Sequence, residues 1–554
     1  MSSRRQAAGS ALRRWACAAL LPCSATAAAA PITAVPANGV RDVSRLVAPG
    51  FRFPDARRAS GITADQLQLL TPIGLPVPGI VRTAGPDATL VPDAPLAGCT
   101  TYTLELARRS GDAAPLRSGF ATMCSHWQPA VEIDDTRTAR RVDRPVDGLE
   151  VAADGGAGFV AVWFQDDGGR RAILASRFNP ETGFWSAPQD IDRHDADAGG
   201  SSVPAIASDA RGRVTVVWFQ ALGGRDAILA TRLRGSRWDT PQRLDDPAMP
   251  GNATNPQLAA DAAGNVTVAW QQPDGRHTAI YAARWQRATR RWLPAHRLDR
   301  LDTPAYDPVV AAAPDGRALV AWEQGAPGRK AVYAAEFRPA RRGWSAPVRL
   351  DHGAGPGRQP VLAASPDGDF TAAWVDGDGP ARRIAVSRLA AGGWSRPGRL
   401  PAAGFVGAAL APALAADPAG NVALAWEQAD RAAAAGARYA IFASRFTAAA
   451  RHWSAPRRID DPRAASAGSP VLAADAAGNV HCAWYQESPQ GMQIYAARYD
   501  PADDRWAPAV RLSDPLLTVE AMLPAIAVNR AGSVVAVWQQ YDGWRTIAAA
   551  GWLP

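Results

Sequence analysis

Pro256-Gln-Leu-Ala-Ala-Asp-Ala-Ala-Gly-Asn-Val-Thr-Val-Ala-Trp270 is the stretch whose reading decides the fold. A short apolar run meets a turn containing Asp and Gly. A second run then alternates with period two up to a tryptophan, which reads as two antiparallel strands joined tightly. The pattern recurs with its tryptophan at 163, 218, 270, 322, 374, 426, 484 and 538, at intervals of 55, 52, 52, 52, 52, 58 and 54 residues. Fourteen residues before seven of these stands a proline (Pro204, Pro256, Pro308, Pro360, Pro412, Pro470, Pro524), and Leu149 takes its place in the first unit. Self-similarity at such a period means a repeat architecture.

Two more strands follow within each unit. The third reads like Ala279-Ile-Tyr-Ala-Ala-Arg284, and the fourth opens on another tryptophan, as in Trp344-Ser-Ala-Pro-Val-Arg-Leu-Asp351. Four antiparallel strands per ~50 residues predict the blade of a β-propeller, whereas helical solenoids would show 3.6-residue periodicity. The fourth-strand tryptophans are 185, 238, 292, 344, 394, 453 and 506; the eighth unit has none, but Trp127-Gln-Pro-Ala-Val-Glu-Ile-Asp134 ahead of the first unit matches it. The expectation is an eight-bladed propeller over 127–554, closed by this N-terminal strand. The two recurring positions account for sixteen of twenty tryptophans, so these side chains are expected to pack blades rather than bind ligand.

Composition narrows the partners. Formal charge is +8, but Arg4, Arg5, Arg13 and Arg14 lie in an acid-free leader, leaving +4 for the remainder, and Lys330 is the only lysine. That balance steers nothing strongly, and nucleic acid is not expected as a partner. Residues 1–30 have a charged start, a short apolar stretch from Trp15 to Leu21 and small residues through Ala30, and read as an export signal. Leu20-Leu21-Pro22-Cys23 is similar to a lipoprotein cleavage site, but proline precedes the cysteine, so anchoring at Cys23 is not favoured. No later segment has the ~18 apolar residues that span a bilayer. The expected location is periplasmic, outer-membrane-associated or extracellular, and the expected state is a monomer.

Residues 31–44 read as a linker and 45–126 as a separate small domain, since they carry no copy of the repeat. Within it, Ala88-Thr-Leu-Val-Pro-Asp-Ala-Pro-Leu-Ala-Gly-Cys-Thr-Thr-Tyr-Thr-Leu-Glu-Leu106 resembles the bacterial surface immunoglobulin-like domain, with Val77-Pro78-Gly79 upstream and Leu116 to Met123 downstream suiting its hairpins. The resemblance implies a β-sandwich spacer or adhesion module without chemistry of its own. Cys99 and Cys124 are expected to form a disulfide, on the ground of export alone; two buried thiols are the alternative. The repeat units resemble those of exported proteobacterial proteins of unknown function, sometimes labelled sialidase-like. The sialidase Asp-box places glycine two residues after its aspartate. Here Asp261-Ala-Ala-Gly264, Asp417-Pro-Ala-Gly420 and Asp475-Ala-Ala-Gly478 place it three residues on, which is turn chemistry.

No catalytic motif is legible. Glu323 and Glu427 follow the core tryptophan in two units and are the nearest approach to a carboxylate pair. The seven histidines lack ligand spacing, so no metal or cofactor is expected. His194-Asp195-Ala-Asp197 and the Asp-Asp-Pro loops at Asp245 and Asp460 lack the full ladder of a calcium loop. Cys482 occupies a small apolar position of the repeat.

The most regular polar feature is a glutamine two residues after the core tryptophan: Gln165, Gln220, Gln272, Gln324, Gln428, Gln486 and Gln540, with Asp376 in the fifth unit. Half-buried amides usually satisfy backbone, and bonding to a neighbouring blade is the leading reading. The sharper reading is a polar ring that binds ligand with the loop arginines Arg170, Arg225, Arg276, Arg329, Arg382, Arg438 and Arg545, of which Arg225 and Arg276 are singled out. The function expected is an exported, non-enzymatic binding or scaffold protein that recognises a polysaccharide or another envelope component through the propeller loop face. A glycan-cleaving, sialidase-like propeller enzyme is the alternative.

Overall fold

The computed structural model describes residues 32–43, 47–93, 96, 100–107, 114–122, 127–134, 146–155, 158–166, 170–193, 198–351, 355–400, 407–429, 438–513, 520–541 and 546–553. The leader, Cys99, Cys124, the 194–197 acids and Arg545 lie outside them. The chain is all-β, built from antiparallel sheets of propeller type that follow an N-terminal pair of sheets.

That first pair consists of four strands each. One sheet runs in the order Thr33–Val35, Gly50–Arg52, Asp87–Pro92, Gly79–Ala84, and the other Val40–Val43, Leu116–Thr122, Thr101–Leu106, Leu67–Leu70. Phe51, Ala88 and Leu90 of the first meet Leu67, Leu69, Tyr102, Leu104 and Phe120 of the second in one buried core. The expectation of a linker over 31–44 is corrected: Thr33–Val35 and Val40–Val43 are strands of the two sheets. They are three and four residues long and separated by Pro36 and Gly39, too short and too punctuated to read as strands from pattern.

Eight further sheets follow, one per repeat unit. In the third, Thr254–Ala260, Val266–Pro273 and Thr278–Gln286 pair antiparallel in sequence order. The outer edge comes as two short pieces, Arg291–Trp292 and His296–Arg297, both paired to the third strand. Seven sheets share this broken edge. The single fourth strand expected from sequence is interrupted because a proline beside the break has no N–H to give the ladder.

The inner strands of successive sheets pack side by side, and that of the eighth, Ala521–Val528, packs on that of the first, Val146–Ala153. Val535 and Val537 of the eighth sheet share a core with Phe159 and Trp163 of the first. The outer edge of the eighth sheet is Val131–Glu132, which pairs with Thr546–Leu553 through Ala549↔Glu132 and Ala550↔Val131. Leaving that edge bare would expose unpaired backbone groups on both sides.

The eight core tryptophans are fully buried. Between sheets, an arginine of one third strand lies over an aromatic ring of the next: Arg232 over Trp285 at 4.5 Å, Arg284 over Phe337 at 4.0 Å, Arg388 over Phe446 at 3.9 Å, Arg445 over Tyr499 at 5.3 Å. Such stacking is worth ~0.5–2 kcal/mol depending on desolvation. The eighth sheet offers Leu553 at the corresponding register position. Arg498 of the seventh sheet bonds instead to Thr100 Oγ1 of the N-terminal sandwich at 3.1 Å, where Asn479 Nδ2 also donates at 3.1 Å. Ile73 covers Gly478, where a Cβ would stand 2.6 Å from its Cγ2 and φ is +86°. The sandwich therefore sits on the face that carries the first-to-second-strand turns.

Deleting residues 1–135 removes the closing strand with the sandwich, whereas deleting 1–125 removes the sandwich alone. A thermal melt should show the longer deletion melting lower and aggregating more; equal behaviour would mean that the ring does not depend on Val131–Glu132.

Candidate functional site

Each inner strand carries a bulge at the same place. The residue before the repeat proline, or before Leu149 in the first unit, is left-handed throughout: Gly148 (φ +61°), Val203 (+49°), Asn255 (+51°), Asp307 (+52°), Gln359 (+51°), Ala411 (+45°), Ser469 (+50°) and Leu523 (+51°). In each sheet the pairing register shifts across it. Seven of the eight are not glycine, at roughly 1–2 kcal/mol each. The proline in mid-strand is the sequence signal for this bulge, and the pattern reading passed over it.

In the third, fourth and sixth units the residue after the core tryptophan accepts the bulge N–H of the next sheet. Gln271 Oε1 accepts from Asp307 at 3.1 Å, Glu323 Oε1 from Gln359 at 2.7 Å, and Glu427 Oε1 from Ser469 at 2.8 Å. Glu323 also takes Lys330 Nζ at 2.8 Å. Burial pushes the Glu427 carboxyl up, against the opposing effect of the Ser469 N–H. The two glutamates nearest to a catalytic pair thus act as struts between different pairs of sheets.

The glutamine row proves equally occupied. In seven units the core indole Nε1–H donates to the Oε1 of the glutamine two residues on, at 3.0–3.4 Å. The Nε2 end reaches the loop entering the sheet: Gln220 donates to Arg193 O and Gly199 O, Gln324 to Leu301 O and Thr303 O, and Gln428 to Gly407 O and Ala408 O. Gln220, Gln272, Gln324, Gln428, Gln486 and Gln540 are buried and Gln165 is half-buried. The expected bond to a neighbouring blade becomes a bond to the unit's own tryptophan and entry loop. In the fifth unit Asp376 pairs with Arg399 at 2.7 Å, and the Trp374 indole has no partner among the described residues.

Buried aspartates at the ends of the outer strands complete the frame. Asp245, Asp299 and Asp460 each accept a third-strand N–H, from Ile228, Ile280 and Ile441 at 2.9–3.0 Å. Each also binds an arginine two residues earlier on its own edge. Asp245 and Asp460 are therefore ion-paired scaffold. The Asp-x-x-Gly turns are scaffold too: Asp261 Oδ1 accepts from Gly264 N and Asn265 N at 2.8 Å, and its Oδ2 from Asn265 Nδ2 at 2.7 Å. Cys482 is buried, and loss of hydration pushes its thiol far up. Among the described residues no cluster of His, Cys, Asp and Glu is arranged to hold a metal.

Past the bulge, the inner strands read Leu-Glu-Val-Ala-Ala in the first unit, Pro-Gln-Leu-Ala-Ala in the third and Pro-Val-Leu-Ala-Ala in the fifth and seventh. Eight strands converge there, and small residues let them approach. Ala260, Ala312, Ala364, Ala416 and Ala474 line a depression of about 410 Å³ at the turn-bearing mouth. Glu150 is the one ionisable side chain on this stretch of the inner strands. It is open to water yet ringed by protein, and lost hydration pushes its carboxyl up to about 7.

The loop face opposite the sandwich holds the remaining predicted residues. Arg170 is spent on Asp192, with contacts of 2.7 and 2.6 Å. Arg382 bonds to Gly379 O, and Arg438 is exposed. Arg225, Arg276 and Arg329, on consecutive sheets, are exposed and make no ion pair among the described residues; Arg225 touches only Met249 O, at 3.3 Å.

No protein-family model matches the sequence, and no curated protein matches it. Solved structures do. A protein of unknown function from Dyadobacter fermentans is 12% identical over 67% of this chain and 98% of its own, with a TM-score of 0.39. An ulvan lyase of polysaccharide lyase family PL25 is 10% identical over 76% and 97%, with a TM-score of 0.40. The intramolecular trans-sialidase of Ruminococcus gnavus is 11% identical over 73% and 91%, with a TM-score of 0.34. These are likenesses of β-propeller-like architecture and carry no chemistry to this chain.

Because its folded-state value is raised, Glu150 favours the folded protein most below about pH 4.5, and that contribution is lost as pH rises through about 7. The melting temperature of Glu150→Gln should decline less across that window than that of the unmodified protein. Parallel profiles would place the carboxyl in ordinary water.

Proposed function

We propose that this chain is an exported cell-envelope or secreted binding and scaffold protein: an immunoglobulin-like module followed by an eight-bladed β-propeller. The propeller recognises carbohydrate or another surface polymer bearing acidic groups, through the loop face turned away from the module. The observation that carries this reading is the arc of Arg225, Arg276 and Arg329, exposed on three consecutive sheets and free of ion pairs among the described residues. Guanidinium forks suit carboxylates, and contacts repeated at the blade spacing add up along a polymer. The leader of residues 1–30 supports export, and the docking of the module on the turn face leaves the loop face open. Hydrolysis or elimination would need acids free to exchange protons, and Glu323 and Glu427 hold neighbouring strands instead.

A glycan array read beside a fluorogenic glycosidase panel tests the reading. Binding to acidic glycans without turnover is expected, weakening with salt as exposed charges are screened. Arg225→Ala with Arg276→Ala should lower affinity at least severalfold while leaving the melting temperature nearly unchanged. Binding indifferent to salt and to both substitutions would overturn the loop-face reading, and turnover would favour the enzyme.

A further inference from the structure

Sheets five and six enclose a groove on the outer wall of about 570 Å³, away from the loop face. Its counterpart between sheets six and seven holds about 10 Å³. Three differences between the two grooves accompany the difference in volume. Between sheets six and seven, Arg457, four residues after Trp453, crosses to Asp504, two residues before Trp506, bonding its carbonyl at 2.6 Å and its carboxylate at 3.4 Å. In the wide groove those two positions are Gly398 and Arg451, which cannot form such a strut. The fifth sheet joins its third and outer strands by a two-residue hairpin, with Ala390 paired to Gly393, where the sixth uses four residues between Thr447 and His452. The second residue after the edge tryptophan is Arg396, where the sixth sheet has Ala455.

The result is a cleft of the size that holds one or two sugar units. Half-buried Trp394 lies on one side and Trp453 on the other. Arg388 lies over Phe446 and reaches Asp369 at 3.3 Å. Arg396 and Arg451 are exposed and make no ion pair among the described residues. Asp367 and Asp369 supply acceptors. A similar opening between sheets one and two, about 650 Å³, has Ala187 and Ser236 at the positions of the two arginines and Glu181 on its wall.

We propose that the groove between sheets five and six binds a carboxylate-bearing sugar, a hexuronate unit, with its ring against Trp394, its carboxylate between Arg396 and Arg451, and its hydroxyls to Asp367 and Asp369. An aromatic face accepts the apolar side of a pyranose, and paired guanidinium donors match a carboxylate in both charge and geometry. The site is separate from the arginine arc of the loop face and stands or falls without it.

Isothermal titration of the full-length protein with trigalacturonate, and with maltotriose as the uncharged control, tests it. Trigalacturonate should bind and maltotriose should bind at least tenfold more weakly. Arg396→Ala with Arg451→Ala should weaken binding at least tenfold. Gly398→Arg with Arg451→Asp copies the strut of the neighbouring groove and should abolish binding while the melting temperature holds or rises. Arg396→Ala with Arg451→Ala should weaken binding by the same factor when Arg225→Ala and Arg276→Ala are already present. The proposal is overturned if trigalacturonate fails to bind, if maltotriose binds equally, or if the groove variants bind as well as the unmodified protein. Loss confined to the loop-face variant would also overturn it and would move the uronate to that face.

Discussion

Everything in the ring rests on the need of a buried indole to find an acceptor. A tryptophan at the centre of each sheet excludes water on all sides, and its N–H left alone would cost ~1–3 kcal/mol. A glutamine two residues along shares its face by strand alternation and supplies the acceptor from the same strand. The other end of the amide ties down the loop that arrives from the preceding sheet. One side chain therefore satisfies the core and fixes the path between units, which explains its recurrence better than a ligand would.

The same economy runs outward from the axis. In three units the bulge N–H is taken by the residue after the tryptophan, while aspartates at the outer edge take third-strand N–H groups and rings of the next sheet take third-strand arginines. Polar groups that look like candidate chemistry in one dimension turn out to be joints. What is left over is informative for that reason: three arginines on the loop face, and the groove between the fifth and sixth sheets, which lacks the Arg–Asp strut that closes the next one.

Periodicity made the units and their four-stranded pattern legible, because tryptophans and prolines repeat at fixed offsets. The strands Thr33–Val35 and Val40–Val43 were not legible, since three or four residues between Pro and Gly carry no period. The left-handed bulges were hidden behind the prolines that signal them, as residues from Val to Asp occupy a position normally left to glycine. The roles of Glu323 and Glu427 depend on contacts about 40 residues away, so their variability between units looked like freedom for a site. The outer groove was missed because no single residue marks it; it needs Gly398, Arg451 and a short hairpin together.

The fifth unit is a built-in exception that tests the indole–amide clamp. Among the described residues Trp374 has no acceptor there, because Asp376 has turned to the exposed Arg399. Denaturant unfolding of Asp376→Gln and Gln272→Ala is the direct measurement. Asp376→Gln should raise stability by ~1 kcal/mol by completing the clamp, and Gln272→Ala should lower it by ~1–3 kcal/mol by breaking one. No gain in the first together with no loss in the second would contradict the claim that these amides hold the ring.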